Sequence, residues 1–251
     1  MKYIKGVNRH GSEFILTIKK NRKTNTILTI EKTSTTIKGI RSLVSEYEGM
    51  RWYNKRSKHK ILSKLTEFTE TYQKLVITPN EGFFHIDSKV PYIKLKYFLD
   101  VTIDHYIEVW SEYKNLPFAP IHGDLSLVGN VMFNKNNDVL FVDWEQFHVF
   151  EKIPTGLDAI MIIMENIYYE ELRYKKIKHD VLNHILILFK RLKKEKLISI
   201  KLMDNPLRKV SDFIMSNKQM WNGQHFKLPS LKLSEHNINY IDAALKENIQ
   251  I

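Results

Sequence analysis

Five side chains in the middle of the chain are of the types that hold metal-bound phosphate and move protons. They lie in Ile121-His122-Gly123-Asp124-Leu125-Ser126-Leu127-Val128-Gly129-Asn130-Val131-Met132-Phe133 and in Leu140-Phe141-Val142-Asp143-Trp144-Glu145. A loop carrying Asp and Asn, then a hairpin ending in a second Asp, brings three oxygen-bearing side chains to one end of a small sheet. Magnesium prefers hard oxygen ligands and takes only one or two carboxylates when phosphates supply the rest, so Asn130 and Asp143 suffice as protein ligands. Asp124 is then left to accept a hydroxyl proton. Phosphoryl transfer asks little more of a protein than this positioning and charge neutralisation.

The elements that must position these groups follow from periodicity. Phe14-Ile15-Leu16-Thr17-Ile18 and Thr26-Ile27-Leu28-Thr29-Ile30 are β-branched and aromatic runs joined by a polar turn, which predicts an antiparallel hairpin. Met1 to Val7 can add a third strand, turned by Gly11-Ser12. Leu43, Tyr47, Met50 and Tyr53 keep a 3.6-residue period, which predicts a helix capped by Ser42. Strands are expected over Leu65–Thr71 and Gln73–Thr78, with a lobe boundary at the turn Pro79-Asn80-Glu81-Gly82. A helix from about Lys94 to Tyr113 buries Phe98, Ile103, Tyr106 and Trp110, and it turns Asp104, Glu108 and Glu112 to water. After Thr155 the pattern is helical, at about 156–175, 178–196, 206–218 and 234–248. The expected class is α+β, with a small antiparallel sheet and one helix in front of a larger, mainly helical part.

His122-Gly123-Asp124-Leu125, Gly129-Asn130-Val131-Met132-Phe133 and Val142-Asp143-Trp144-Glu145 resemble the aminoglycoside phosphotransferase and choline kinase group, relatives of the protein kinases, which carry H-R-D-x-x-x-x-N and D-F-G in equivalent places. The motifs cover about two dozen residues, and the order of elements agrees over most of the chain. The resemblance implies a two-lobed protein-kinase-like fold, with a nucleotide-binding lobe over 1–80 and a catalytic and acceptor-binding lobe over 81–251. It also implies ATP and Mg²⁺ as cofactors and transfer of the γ-phosphate to a hydroxyl of a small molecule or glycan. On that basis Asp124 is the catalytic base and His122 supports its loop. Asn130 and Asp143 bind metal, Glu145 helps a second metal, and Asp158 is a scaffold. Kinases pair a strand lysine with a helix glutamate to hold the α- and β-phosphates. Lys32 is the candidate lysine. Helical phase chooses Glu46 as its partner, because Glu46 lies three after Leu43 and four before Met50, whereas Glu48 points nearly opposite.

Two departures bear on activity. The family spaces its aspartate and asparagine five apart, but Asp124 and Asn130 are six apart. A bulge keeps Asn130 as the ligand. The usual register puts Gly129 there and leaves a catalytically weak pseudokinase or binding module. The local order Gly129-Asn130-Val131-Met132, and the freedom of glycine, favour the bulge. There is also no G-x-G-x-x-G phosphate loop, only Gly6 and Gly11-Ser12, although this family often dispenses with it.

The chain has 251 residues, is 43% hydrophobic and carries a net charge of +11, which fits a folded protein and raises the question of a polyanionic partner. The charge is segregated: residues 1–60 hold 15 basic and 4 acidic side chains, 61–172 hold 8 and 17, and 173–209 hold 12 and 3. An acidic middle between basic segments is not a duplex-binding stripe, and 173–209 lacks interleaved exposed aromatics, so no nucleic-acid partner is expected. That segment suits peripheral contact with an anionic membrane. A metallophosphoesterase needs further His and Asp ligands in short motifs, and the ten histidines are scattered. The absence of cysteine excludes a thiol nucleophile and any cysteine-ligated metal. The first residues lack an apolar core of signal length, and a cytoplasmic, at most membrane-peripheral, location is expected.

Overall fold

The computed structural model describes residues 2–7, 13–21, 23, 24, 26–69, 72–87, 90, 92–149, 152–221 and 227–249. The fold is α+β: an antiparallel sheet with one helix, followed by a mainly helical remainder. Strands β1 (Lys2–Val7), β2 (Glu13–Lys20), β3 (Ile27–Ser34), β4 (Leu62–Thr69) and β5 (Tyr72–Thr78) form a sheet in the order β1-β2-β3-β5-β4. The expected turn at Gly11-Ser12 lies outside the described residues, as do Glu70 and Thr71 at the end of the expected Leu65–Thr71 strand.

β3 is the middle strand, and Lys32 lies inside it between Leu16 of β2 and Leu75 of β5. The apolar run Thr26–Ile30 puts Lys32 at the end of the predicted strand, whereas the ladder continues past it. Pairing on both sides carries β3 on to Ser34, because Thr33 and Ser34 continue the ladder with Lys74 and Gln73 of β5.

Helix α1 (Ile37–Asn54) starts five residues before the expected cap at Ser42. Thr36 is the cap, its Oγ1 accepting from Gly39 N at 3.1 Å. Threonine in extended backbone is a competent N-cap, and it outweighs the poor helix propensity of Gly39 in the first turn. Ser42 is therefore internal to the helix and buried. The periodic face is as expected: Leu43, Glu46, Met50 and Tyr53 are buried, while Glu48 is exposed.

The remainder is built around α3 (Leu157–Tyr174). Every residue from Leu157 to Ile167 is buried, Asp158, Glu165 and Asn166 among them, so this stretch is enclosed on all sides where its pattern predicts a one-faced amphipathic helix. Around it stand α2 (Tyr92–Val109), α4 (His179–Lys194), the short α5 (Ile200–Met203), α6 (Pro206–Ser216) and α7 (Glu235–Asn248). Single 3-10 turns over Ser111–Tyr113, Lys218–Trp221 and Pro229–Lys232 connect them. Asp104, Glu108 and Glu112 face outward as expected. In the basic segment, Arg173 pairs with Glu170, Arg191 with Asp104 and Arg208 with Glu235, while Lys193 Nζ donates to Ile249 O at 2.8 Å. Those cations serve the fold. Among the described residues no helix is long and apolar enough to cross a membrane.

A two-stranded ladder, β6 (Val131–Phe133) with β7 (Val139–Phe141), is built into the buried core beside the helices. Its turn is closed by Asn134 Oδ1, which accepts from Asn136 N and Asp138 N. The ladder carries Asn130 and Asp143 at the same end, one residue before β6 and two residues after β7 respectively.

Candidate active site

The loop ahead of β6 is held from below by two acids in the first turns of α3. Asp158 accepts from His122 N at 2.7 Å and Gly123 N at 3.0 Å. Glu165, two turns on, accepts from Ser126 Oγ at 2.6 Å and Leu127 N at 2.9 Å. Trp221 Nε1 donates to Gly123 O at 2.6 Å. Burial pushes the Asp158 carboxyl up to about 7, with the two N–H donors opposing the rise and the neighbouring Asp124 adding to it. Asp158 thus occupies the scaffolding position expected of it. Glu165 and Trp221 were not anticipated. A glutamate inside the apolar run Ala159 to Ile167 was a legible signal, since a buried acid needs donors; Trp221 carried none.

Gly123 takes φ +83°, a region that penalises any side chain, and a Cβ there would lie 2.3 Å from Gln146 O. Since Gln146 O is backbone, nothing yields cheaply. Gly123→Ala is expected to cost at least about 2 kcal/mol in urea unfolding, from backbone strain and the clash together.

Residues 127–130 turn so that both Gly129 N and Asn130 N point to Ser126 O, at 3.3 and 2.8 Å. The extra residue between Asp124 and Asn130 is absorbed in this turn, and Asn130 reaches back to donate Nδ2 to Asp124 O at 2.6 Å and Asp124 Oδ2 at 3.3 Å. Gly129, expected to supply unusual backbone, is not among the glycines with positive φ, which among the described residues are Gly82, Gly123 and Gly156. The i+4 hydrogen bond makes that unnecessary. Asp124 and Asn130 are both buried.

Two bonds tie this loop to the end of β7. His122 Nε2 donates to Val142 O at 2.9 Å, and Val142 N donates to Asn130 O at 2.9 Å. The His122 ring also packs on Trp144, with centroids 4.4 Å apart. His122 therefore sits where a loop support belongs. Asp143 has φ +64°, which Asp tolerates better than most residues.

Lys32 projects from β3 into the acids. Its Nζ lies 2.9 Å from both Glu46 carboxylate oxygens, 3.0 Å from Asp143 Oδ1 and 2.9 Å from Glu145 Oε1. Ser42 Oγ approaches Glu145 Oε2 at 3.5 Å. Glu46 and Glu145 are buried, whereas the Asp143 side chain is 45% exposed and opens to solvent. One cation serves three carboxylates. Burial, aided by repulsion from Glu145 and Asp143, pushes the Glu46 carboxyl up to about 8 against the pull of Lys32. Burial alone would lower the Lys32 pKa, but the three carboxylates hold it well above the ordinary lysine value.

The structure thus brings Lys32, Glu46, Asp143 and Glu145 together, and it binds Asp124, Asn130 and His122 into one adjoining loop. The three carboxylates of the cluster have oxygens within 4.8 Å of one another. A set of three hard carboxylate groups this close together suits Mg²⁺, with the Asp143 side chain partly open to solvent. No protein-family model matches the chain, and no curated protein does.

Proposed function

We propose that this chain is a Mg-ATP-dependent phosphotransferase with a two-lobed protein-kinase-like fold, moving the γ-phosphate to a hydroxyl of a small molecule or glycan. The observation that carries the reading is Lys32. From the middle strand of the sheet it meets a helix glutamate 14 residues on, and it meets Asp143 and Glu145 from more than 100 residues away. A buried strand lysine shared by a helix acid and the acid after a hairpin has little structural economy, because buried ion pairs seldom stabilise more than apolar residues of the same volume. It suits a site that exchanges carboxylates for phosphates.

In this reading the sheet with α1 forms the nucleotide lobe, up to about residue 80, and the rest forms the catalytic and acceptor lobe. Lys32 binds the α- and β-phosphates, and Glu46 orients it. Asp124 takes the acceptor's proton as the hydroxyl oxygen bonds to the γ-phosphorus. The bond from phosphorus to the β,γ-bridging oxygen breaks, and ADP and a phosphomonoester leave. Asn130 and Asp143, with Glu145, would hold Mg²⁺, which supplies charge neutralisation on the phosphates when bound. His122 and Asp158 keep the Asp124 loop in register with Asp143. The turn at 127–130 favours an active enzyme over a pseudokinase, because it leaves Asn130 beside Asp124 rather than a glycine.

Calorimetry tests this directly. ATP is expected to bind in the presence of Mg²⁺ and to lose most of its affinity when EDTA removes the metal. Asp143→Asn should weaken binding at least about tenfold, the cost of one charged metal ligand. Absence of metal-dependent nucleotide binding would sink the reading.

A further inference from the structure

A cavity of about 480 Å³ opens beside the carboxylate cluster, between the first turns of α1 and the segment after Asp143. Lys38, Arg41, Ser42 and Ser45 line it from α1, facing Glu145 and Gln146. Nothing in the proposed transfer uses Lys38, Arg41 or Gln146.

Three features give the cavity a chemistry. Lys38 and Arg41 are exposed, and neither forms an ion pair among the described residues. Glu145 is the one carboxylate among the described lining residues, and its Oε1 is already held by Lys32 at 2.9 Å. Gln146 is 2% exposed, and its Nε2 has no hydrogen-bond partner among the described residues. A buried amide donor without an acceptor is costly unless a ligand completes it. Two cations without an ion pair among the described residues, lining one space beside a buried amide that lacks an acceptor, describe a receptor for a multivalent oxyanion.

Its position connects it with catalysis. Gln146 packs backbone against backbone on Gly123, the residue before Asp124: a Cβ at Gly123 would stand 2.3 Å from Gln146 O and 2.8 Å from Gln146 Cβ. The cavity also shares His148, Gln219 and Met220 with a second one of about 520 Å³, which Lys152 lines as well. A space of this size suits a sugar phosphate, and the continuation suits a longer one.

We propose that this cavity binds a phosphate group already present on the acceptor, so that the substrate class is a phosphorylated hydroxyl compound. The acceptor's hydroxyl rests on the phosphotransferase reading; the phosphate site rests on Lys38, Arg41 and Gln146. Ligand phosphate oxygens accept from Lys38 and Arg41, and from Gln146 Nε2 once its amide turns into the cavity, and the remainder of the acceptor turns toward the Asp124 loop.

The test uses the full chain and two probes that carry phosphate and hydroxyls, one soluble and one in a lipid surface. In calorimetry, glucose 6-phosphate is expected to bind at least about tenfold more tightly than glucose. In sedimentation, phosphatidylinositol vesicles are compared with phosphatidylcholine vesicles. Preference for glucose 6-phosphate over glucose, or for the anionic phosphatidylinositol over zwitterionic phosphatidylcholine, lost at least about tenfold in Lys38→Ala/Arg41→Ala and in Gln146→Leu, supports the site and identifies its source. The double variant alters only exposed side chains, so it remains informative if Gln146→Leu fails to fold. Equal binding of glucose and glucose 6-phosphate with no vesicle preference, or preference unmoved by the double variant, overturns the proposal. Mg-ATP is titrated separately: its failure to bind counts against phosphoryl transfer, and retention of the Lys38- and Arg41-dependent phosphate binding in that case still supports the anion site.

Discussion

Asp124→Asn is expected to lower phosphoryl transfer by about 10²- to 10⁴-fold, the usual weight of a positioned general base, and to leave the folded chain and its Mg-ATP affinity in place. The isosteric amide keeps the loop. Asn130 Nδ2 still finds the backbone oxygen of residue 124, its 2.6 Å partner, and Asp158 and Glu165 hold the loop through groups other than the Asp124 carboxylate. What is lost is the acceptor for the hydroxyl proton. The effect should fall on kcat with little change in KM, because the proton moves only as the new bond forms. Coupled detection of ADP with a panel of hydroxyl compounds, run beside a thermal melt, separates lost chemistry from lost structure. Undiminished turnover would show that Asp124 is not the base.

Lys32→Met is expected to produce the largest change in stability. It removes the ammonium from beside the buried Glu46 and Glu145 carboxylates and from Asp143, and breaking a buried pair from one side costs about 3–5 kcal/mol. The loss depends on pH. In the wild type the Glu46 carboxyl titrates near 8 when folded against 4.5 for the free group, and Asp158 near 7 against 3.8. Protonation therefore favours the folded state. The contribution of each group is complete below its unfolded pKa and disappears as pH rises through its folded one. Wild-type unfolding midpoints should decline from about pH 5 to 8.5. Removing Lys32 should deepen that decline, because at pH 5 the Glu46 carboxyl can stay neutral and at pH 8.5 it cannot. Glu46→Gln should flatten it. Melting curves at three pH values suffice, and a Lys32→Met penalty that is constant across pH would contradict the shared-cation description.

Much of this site was legible because it depends on local pattern. Glu46 was separable from Glu48 by helical phase alone: one position falls with Leu43 and Met50 on the buried stripe, the other does not. Asn130 and Asp143 were bracketed by a short hairpin whose turn residues and β-branched flanks define its ends. The start of α1 was not legible, because Ser34-Thr35-Thr36 reads equally well as continuing strand, and only the pairing of Ser34 with Gln73 shows where β3 stops. The turn that absorbs the extra residue before Asn130 was anticipated in outcome but not in cause. Glycine freedom was the expected device, whereas the Ser126 carbonyl and Glu165 supply the geometry. Glu165 and Trp221 act on the loop from 38 and 98 residues away. No local pattern encodes such distances.

Helix α1 carries one more implication. Trp52 sits among Trp110, Trp144 and Phe147, with ring centroids 4.9, 5.8 and 5.7 Å away. Gly49 lets the helix approach so closely that a Cβ there would stand 2.7 Å from Trp144 Cβ. In mechanical terms α1 is a beam clamped at its C-terminal half to the helical body, while Lys32 belongs to the sheet that lies over it. The two partners of the 2.9 Å ion pair are therefore mounted on different supports. A tilt of the sheet therefore changes the Lys32–Glu46, Lys32–Asp143 and Lys32–Glu145 separations together, and the ammonium reports how the strand sits over both supports.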